Sequence, residues 1–306
     1  MVTWSNFHGH ARQSPIMEAV CQALMQAVKY LLLMPNTGPI DTVAKVVRYY
    51  KDLVAIRDAL GLKTELIMTI YLTDKLTWQV VKQLSKLPFK VCVKYYPPHK
   101  GATTGSGLGI PLMDVPMDTW KAMVDNDMWL LGHFESVYDK DGREIDMIDR
   151  EAYFMDHEFM PFREMVPELN INAEHISTRQ AIGNIKADPS GKTTCGITPH
   201  HALICLDDLI KKSWANHGKC MPIPKHRDDM DAIREFMTSG DKRAQAGDDS
   251  APWLSQFKQG EFWSPEVACG CWLPHAPAMY ALAFEMEDAL DQRFVDFMCF
   301  NGPDQR

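Results

Sequence analysis

Short apolar runs separated by longer amphipathic stretches recur along nearly the whole 306-residue chain, and this alternation restricts the architectures open to it. The runs are Leu31–Met34, Leu66–Leu72, Phe89–Val93, Met128–Leu131, Ile171–Ala173 and Thr194–Ile197. Between them lie segments with apolar residues at helical spacing. In Thr42–Leu60, for example, Val43, Val46, Val47, Tyr50 and Val54 recur at that spacing. Met117–Asp125, Arg150–Met165 and Asp228–Ser239 follow the same pattern. Strands alternating with helices in this way predict parallel β/α units. Adding His8–His10 and a weaker segment, Arg243–Asp249, brings the strands to about eight. That number suggests an α/β fold of the (β/α)8 barrel type over residues 1–306 as a single domain. A doubly wound open sheet has nearly the same periodicity.

A formal net charge of -8 and a pI near 5.8 argue against a nucleic-acid-binding surface, which is normally basic. They do not exclude an anionic small molecule, because a few cations inside a pocket outweigh a mildly acidic exterior. The cysteines form no C-x-x-C pair, and a chain of this length folds without disulfides, so reduced thiols in a cytoplasmic protein are expected. Cys269-Gly-Cys271 reads as a surface loop rather than a metal or redox pair. The N-terminus lacks the pattern of a signal peptide. Residues 19–34 are apolar but short for a membrane span and interrupted by Lys29, so a helix running into a buried strand is expected, with no membrane partner.

His8-Gly-His10 is the first pair with chemical potential, since residues i and i+2 of a strand project to one side and two imidazoles there can grip one cation. Other polar residues share one positional feature. Asn36, Lys94, His133, His175 and Asp249 each stand where an apolar run gives way to a loop. In a (β/α)8 barrel those carboxyl ends converge on the face that carries active sites. Lys94 fits a cation site poorly as an ammonium, but as a neutral amine that has added carbon dioxide it becomes a carbamate able to bridge two cations. From residue logic alone, an ordinary lysine paired with a carboxylate is the simpler reading.

Together these segments resemble the dihydroorotase family, in its shorter bacterial-type class within the amidohydrolase superfamily. The similarity runs through His8-Gly-His10-Ala-Arg12, Met34-Pro-Asn36-Thr, Tyr71-Leu-Thr-Asp74 and Val93-Lys94-Tyr-Tyr-Pro97. It continues through Ala102-Thr-Thr104, Gly132-His133-Phe-Glu135, Ile148-Asp-Arg-Glu-Ala152 and Glu174-His175-Ile-Ser-Thr178. Ile197-Thr-Pro-His-His201, Asp249-Ser-Ala-Pro252, Cys269-Gly-Cys271 and Asn301-Gly-Pro303 complete it. The resemblance implies a cytoplasmic catalytic barrel that interconverts N-carbamoyl-L-aspartate and dihydroorotate, a step of pyrimidine synthesis. His8, His10 and Asp249 would hold one metal ion, His133 and His175 a second, and N6-carboxylated Lys94 both; zinc suits such ligands. A hydroxide between the metals would attack the ring carbonyl, with Asp249 relaying its proton to the amide nitrogen. Arg12 and Asn36 would hold the substrate carboxylate, Thr103 and Thr104 would belong to a loop closing over the substrate, and the Met221 backbone would contact the ring. Gly105, Gly107 and Gly109 would act as that loop's hinge, and a homodimer is compatible with the resemblance.

The chain also departs from the family pattern. Trp253 stands where the family usually has a histidine that helps hold the carboxylate, and indole offers one donor and more bulk. Losing a donor to a charged group costs about 1.5–3 kcal/mol. Either a neighbour such as Lys258 or His275 compensates, or dihydroorotate binds more weakly, or the substrate is a different cyclic amide or ureide. The segment between Lys94 and Thr103 is about two residues longer than usual, and the chain is shorter at both ends. A non-catalytic homologue acting as a partner-binding subunit is a further alternative, against which the full set of ligands argues. His99, His157, His200, His201, His217 and His226 receive no catalytic role.

Overall fold

A computed structural model describes residues 3–302 apart from 13–14, 37, 212–215, 262–263, 265 and 272–274. Eight parallel strands follow one another in chain order around a single sheet, which excludes the doubly wound alternative. They are β1 (Trp4–Gly9), β2 (Val28–Leu33), β3 (Glu65–Tyr71), β4 (Val91–Tyr95), β5 (Leu130–Gly132), β6 (Ile171–Ala173), β7 (Thr193–Ile197) and β8 (Ala244–Ala246). Helices α1 (Met17–Met25), α2 (Val43–Ala59), α3 (Trp78–Leu84) and α4 (Met117–Asp125) connect the first five strands. After β5 come α5 (Arg150–Phe154), a π turn (Met155–Phe159) and α6 (Met160–Met165). Beyond β6 lies α7 (Arg179–Ala187), and beyond β7 lie α8 (Pro199–Leu203), α9 (Leu206–Lys211) and α10 (Arg227–Thr238). Helix α11 (Ala276–Met286) follows β8. Helices α2, α3 and α7 begin at Thr42, Thr77 and Thr178, whose hydroxyls accept from the backbone N–H of Lys45, Val80 and Ala181. Each cap satisfies a donor that the first helical turn leaves free.

Alternation along the strands sorts side chains into two layers. Leu31, Leu33, Met68, Ile70, Val91, Val93 and Leu130 pack outward against the helices in the main core. Their sequence neighbours Leu32, Ile67, Cys92 and Leu131 form a separate apolar cluster with Phe7, Met34 and Trp129. Two residues beyond Cys92 and Leu131 come Lys94 and His133, so strand geometry alone carries those side chains to the same inner face, nearer the carboxyl ends.

The far side of the barrel is polar inside. Asn172 donates to Glu174 Oε1 at 2.7 Å, accepts from Thr194 Oγ1 at 2.7 Å, and also accepts from Gln245 Nε2. These groups are buried and bond to one another, and β8 carries no apolar run because its inward side chain is an amide. The ring closes where β1 meets the residues after β8. Asp249 N donates to His8 O at 2.9 Å, and His10 N donates to Ser250 O at 3.0 Å. Among the described residues, no helix is long and apolar enough to cross a membrane.

Candidate metal centre

The four strand-end imidazoles, the lysine and the aspartate meet on the carboxyl face. His8 Nε2 and His10 Nε2 lie 3.2 Å and 3.0 Å from one oxygen of Asp249. The His175 ring is 5.1 Å from that of His8 and 4.6 Å from that of His133, centroid to centroid. Lys94, fully buried, has no hydrogen-bond partner for its Nζ among the described residues. His8, His10, His133, His175 and Asp249 line one small cavity, with Arg12, Asn36, Thr103, Thr104 and Met221 around them. Lys94 lies behind this lining rather than in it.

Nearly every inner imidazole is steered from behind. His8 Nδ1 is 2.7 Å from Glu174 Oε2, His10 Nδ1 is 2.9 Å from Asn36 Oδ1, and His133 Nε2 is 2.7 Å from Glu135 Oε2. Holding one ring nitrogen fixes the tautomer and turns the other toward the centre, the arrangement typical of metal-ligating histidines. His175 departs from it, because its Nδ1 has no partner among the described residues. Glu135 and Glu174 were not singled out from the sequence, although each sits one or two residues from a histidine within the segments quoted above.

The electrostatics suit cation binding. Burial lowers the affinity of His10 for a proton, to a pKa of about 4, and lowers those of His133 and His175 as well. Neutral rings have a lone pair to offer. Burial also opposes ionisation of Asp249, but the neighbouring His8 and His10 outweigh it and hold the carboxyl well below its ordinary value. Burial brings Lys94 down to about 8, against the opposing pull of Glu174 and Asp249. Arg12, His175 and Asp249 all have positive φ, at 57°, 40° and 51°. Left-handed backbone at three non-glycine residues of one site is strain of the kind that clusters where function fixes a side chain.

Around the cavity mouth the structure revises several expectations. Arg12 Nε and Nη2 donate to the carbonyls of Pro252 and Ala251 at 2.7 Å and 2.6 Å, which leaves buried Nη1 without a partner among the described residues. Trp253 does not line the cavity. Its ring stacks on the Arg12 guanidinium at 4.4 Å, and its Nε1 donates to Cys269 O at 2.8 Å, so its bulk is spent behind Arg12. Lys258 supplies no donor to the cavity, because its Nζ donates to the carbonyls of Lys219, Ala268 and Gly270; His275 lies exposed at the start of α11. Asn36 is engaged as well: its amide donates to Thr104 O at 2.9 Å while its oxygen holds His10.

The segment carrying Thr103 and Thr104 is docked over the site. Thr104 Oγ1 donates to Cys269 O at 2.9 Å, and Tyr71 OH donates to Gly105 O at 3.1 Å. Gly105 has φ of 73°, and a Cβ there would come within 2.5 Å of Asn36 O, so only glycine permits this approach. Cys269 is half-buried and Cys271 buried, so Cys269-Gly-Cys271 is an inner wall rather than a surface loop.

No family model matches the chain. Among curated proteins, the dihydroorotase of Picosynechococcus sp. is 33% identical over 304 residues, spanning 98% of this chain and 83% of that protein. The mitochondrial dihydroorotase of Oryza sativa is 31% identical over 305 residues, 98% of this chain and 71% of its own. Among solved structures, dihydroorotase from Saccharomyces cerevisiae in complex with 5-fluoroorotic acid superposes with a TM-score of 0.88 at 26% identity, covering 99% of this chain and 84% of that one. The L-hydantoinase of Arthrobacter aurescens, at 13% identity and a TM-score of 0.77, shares the fold. With this identity sustained over almost its full length, the chain belongs to the dihydroorotase family of metal-dependent cyclic amide hydrolases.

Proposed function

We propose that the protein interconverts dihydroorotate and N-carbamoyl-L-aspartate at a pair of divalent cations held by His8, His10, Lys94, His133, His175 and Asp249. The observation that carries this reading is the donor set itself. Three inner imidazoles are oriented from behind, a carboxylate lies between two of them, and a buried amine lacks a hydrogen-bond partner among the described residues. An isolated buried ammonium is costly. A lysine shifted down to about 8 keeps a substantial neutral fraction near neutral pH, and the neutral amine adds carbon dioxide to give a carbamate and one proton. That anion satisfies the orphaned position and offers two oxygens. Zinc matches the nitrogen and oxygen donors. When bound, such cations polarise a carbonyl and lower the pKa of water.

The chain's own residues supply the rest. Asp249, kept ionised by His8 and His10, accepts a proton from the attacking water and returns it to the amide nitrogen as the ring opens. Arg12 Nη1, buried and unspent, is the donor for the substrate carboxylate, and the second amide hydrogen of Asn36 adds to it. Thr103 and Thr104 exclude water from above, while the Met221 backbone abuts the ring. The residues 1–306 act as one catalytic unit in this reading, in the cytoplasm, alone or as a homodimer.

Ring opening of dihydroorotate by the metal-loaded protein, measured beside hydantoin and dihydrouracil, tests the assignment. The expected order places dihydroorotate first by a wide margin. Turnover of the other two without dihydroorotate would assign the site to a different substrate.

A further inference from the structure

Beside the cavity, three soft donors come together that the reaction above does not use. His200 lies on α8 just after β7, Cys220 immediately precedes Met221, and Cys271 pairs in parallel with Ser250. All three are buried, at 4%, 2% and 8% exposure. Their donor atoms lie within 4.8 Å of one another, with Cys220 Sγ 3.4 Å from His200 Nε2. Around a tetrahedral zinc ion, sulfur at ~2.3 Å and nitrogen at ~2.0 Å put ligand atoms roughly 3.5–3.8 Å apart, so these side chains need only small rotations to share one ion. The imidazole nitrogen that faces Cys220, and so the one available to the ion, is Nε2.

We propose that His200, Cys220 and Cys271 form a binding site for one thiophilic d10 cation, such as Zn2+ or Cd2+, distinct from the binuclear centre. Cys220 lines the cavity and gives the ion its route in. Binding replaces two thiol protons, which pass to solvent, and involves no change of oxidation state. Lys258 helps to keep the two cysteine segments adjacent, since its Nζ donates to Lys219 O beside Cys220 and to Gly270 O beside Cys271. An ion here ties the end of β7, the Cys220–Met221 wall and the 269–271 segment together. The last of these holds Thr104 and Trp253 through Cys269 O, so occupancy stiffens the surroundings of the substrate.

The site stands on its own residues, and its test is independent of the reaction assigned to the cavity. Titrating the metal-loaded full-length protein with Cd2+ reads it directly, through the ultraviolet charge-transfer band of cadmium thiolates. The binuclear donor set contains no sulfur, so exchange there is silent in this band. Saturation at one Cd2+ per chain is expected, with the band lost in both Cys220→Ser and Cys271→Ser and retained in Cys299→Ser. No band, or one that survives both substitutions, overturns the proposal. Cadmium K-edge absorption of the wild-type protein removes any dependence on how the variants fold. Two sulfurs and one nitrogen around the added ion support the site, and a shell of oxygen and nitrogen only, or a disulfide joining Cys220 to Cys271 in the isolated protein, refutes it.

Discussion

Replacing Trp253 by alanine removes the aromatic face on which Arg12 rests while leaving every cavity-lining side chain in place. Two of the guanidinium's donors stay on the carbonyls of Pro252 and Ala251, so Arg12 is loosened rather than released. A cation–π contact with a desolvated arginine is worth about 1–2 kcal/mol. That loss falls mainly on binding, because Arg12 Nη1 must stay aimed at the carboxylate. A binding share of roughly 1–2 kcal/mol corresponds to a rise in KM of about 5- to 30-fold. The turnover number changes little, since the perturbed contact lies remote from the bond that breaks. Trp253→Phe keeps the ring face but loses the hydrogen bond to Cys269 O, so a smaller rise of about 2- to 5-fold is expected. Steady-state ring opening of dihydroorotate measures both, and a neutral cyclic ureide lacking the carboxylate serves as the control. An alanine variant with wild-type KM, or one that loses kcat at unchanged KM, would refute this account of Arg12.

Four further outcomes are expected. Lys94→Ala lowers activity by ~100-fold or more and reduces the bound metal per chain, as elemental analysis of the dialysed protein reports, because the orphaned Nζ position then lacks its bridging anion. Glu135→Ala frees the His133 ring from its 2.7 Å partner and costs about 10- to 100-fold in metal affinity, measured by competition with a chromogenic chelator. Exhaustive chelation abolishes ring opening and added Zn2+ restores it, while far-ultraviolet circular dichroism holds steady, since the two apolar clusters rather than the metal ligands build the core. Asp41 is the pH case. Burial opposes its ionisation, but hydrogen bonds from Lys45 and Lys75 outweigh that and lower its pKa. A depressed carboxylate stabilises the fold above its unfolded pKa of about 3.9, and the contribution fades as pH falls through the folded value. Asp41→Asn therefore destabilises the protein to urea near neutral pH and narrows its gap to wild type in acid; an equal gap at both would contradict the linkage.

The apolar runs were legible because β2 to β5 carry hydrophobic side chains on both faces, outward to the helices and inward to the barrel centre. The last strand was the faintest for the opposite reason. Its inward residue is Gln245, whose amide donates to Asn172, and hydropathy gives no sign of a hydrogen bond made across the barrel. Asp249 was placed at the end of that strand, whereas it follows Ala246 by three residues in a left-handed turn, a conformation that composition does not announce. His8, His10, Lys94 and His133 could be positioned by counting in twos from the strands. Trp253 could not be read correctly, because its role depends on a residue distant in sequence, Arg12, and on a carbonyl at Cys269. Cys271 misled for a similar reason: burial of a short Cys-Gly-Cys segment depends on what packs over it.

The seam where the barrel shuts has a consequence for how the enzyme comes to life. The backbone of His8 and His10 is fastened to that of Asp249 and Ser250. The stitches that complete the cylinder therefore belong to the very residues that present the first three donors. In the proposed reading, half of the ligand set comes together only once the last strand has docked, so a cation held by His8, His10 and Asp249 would enter after the barrel has closed. Any later fraying of that join loosens three donors at once, which makes ion exchange a gauge of how often the barrel breathes along this line.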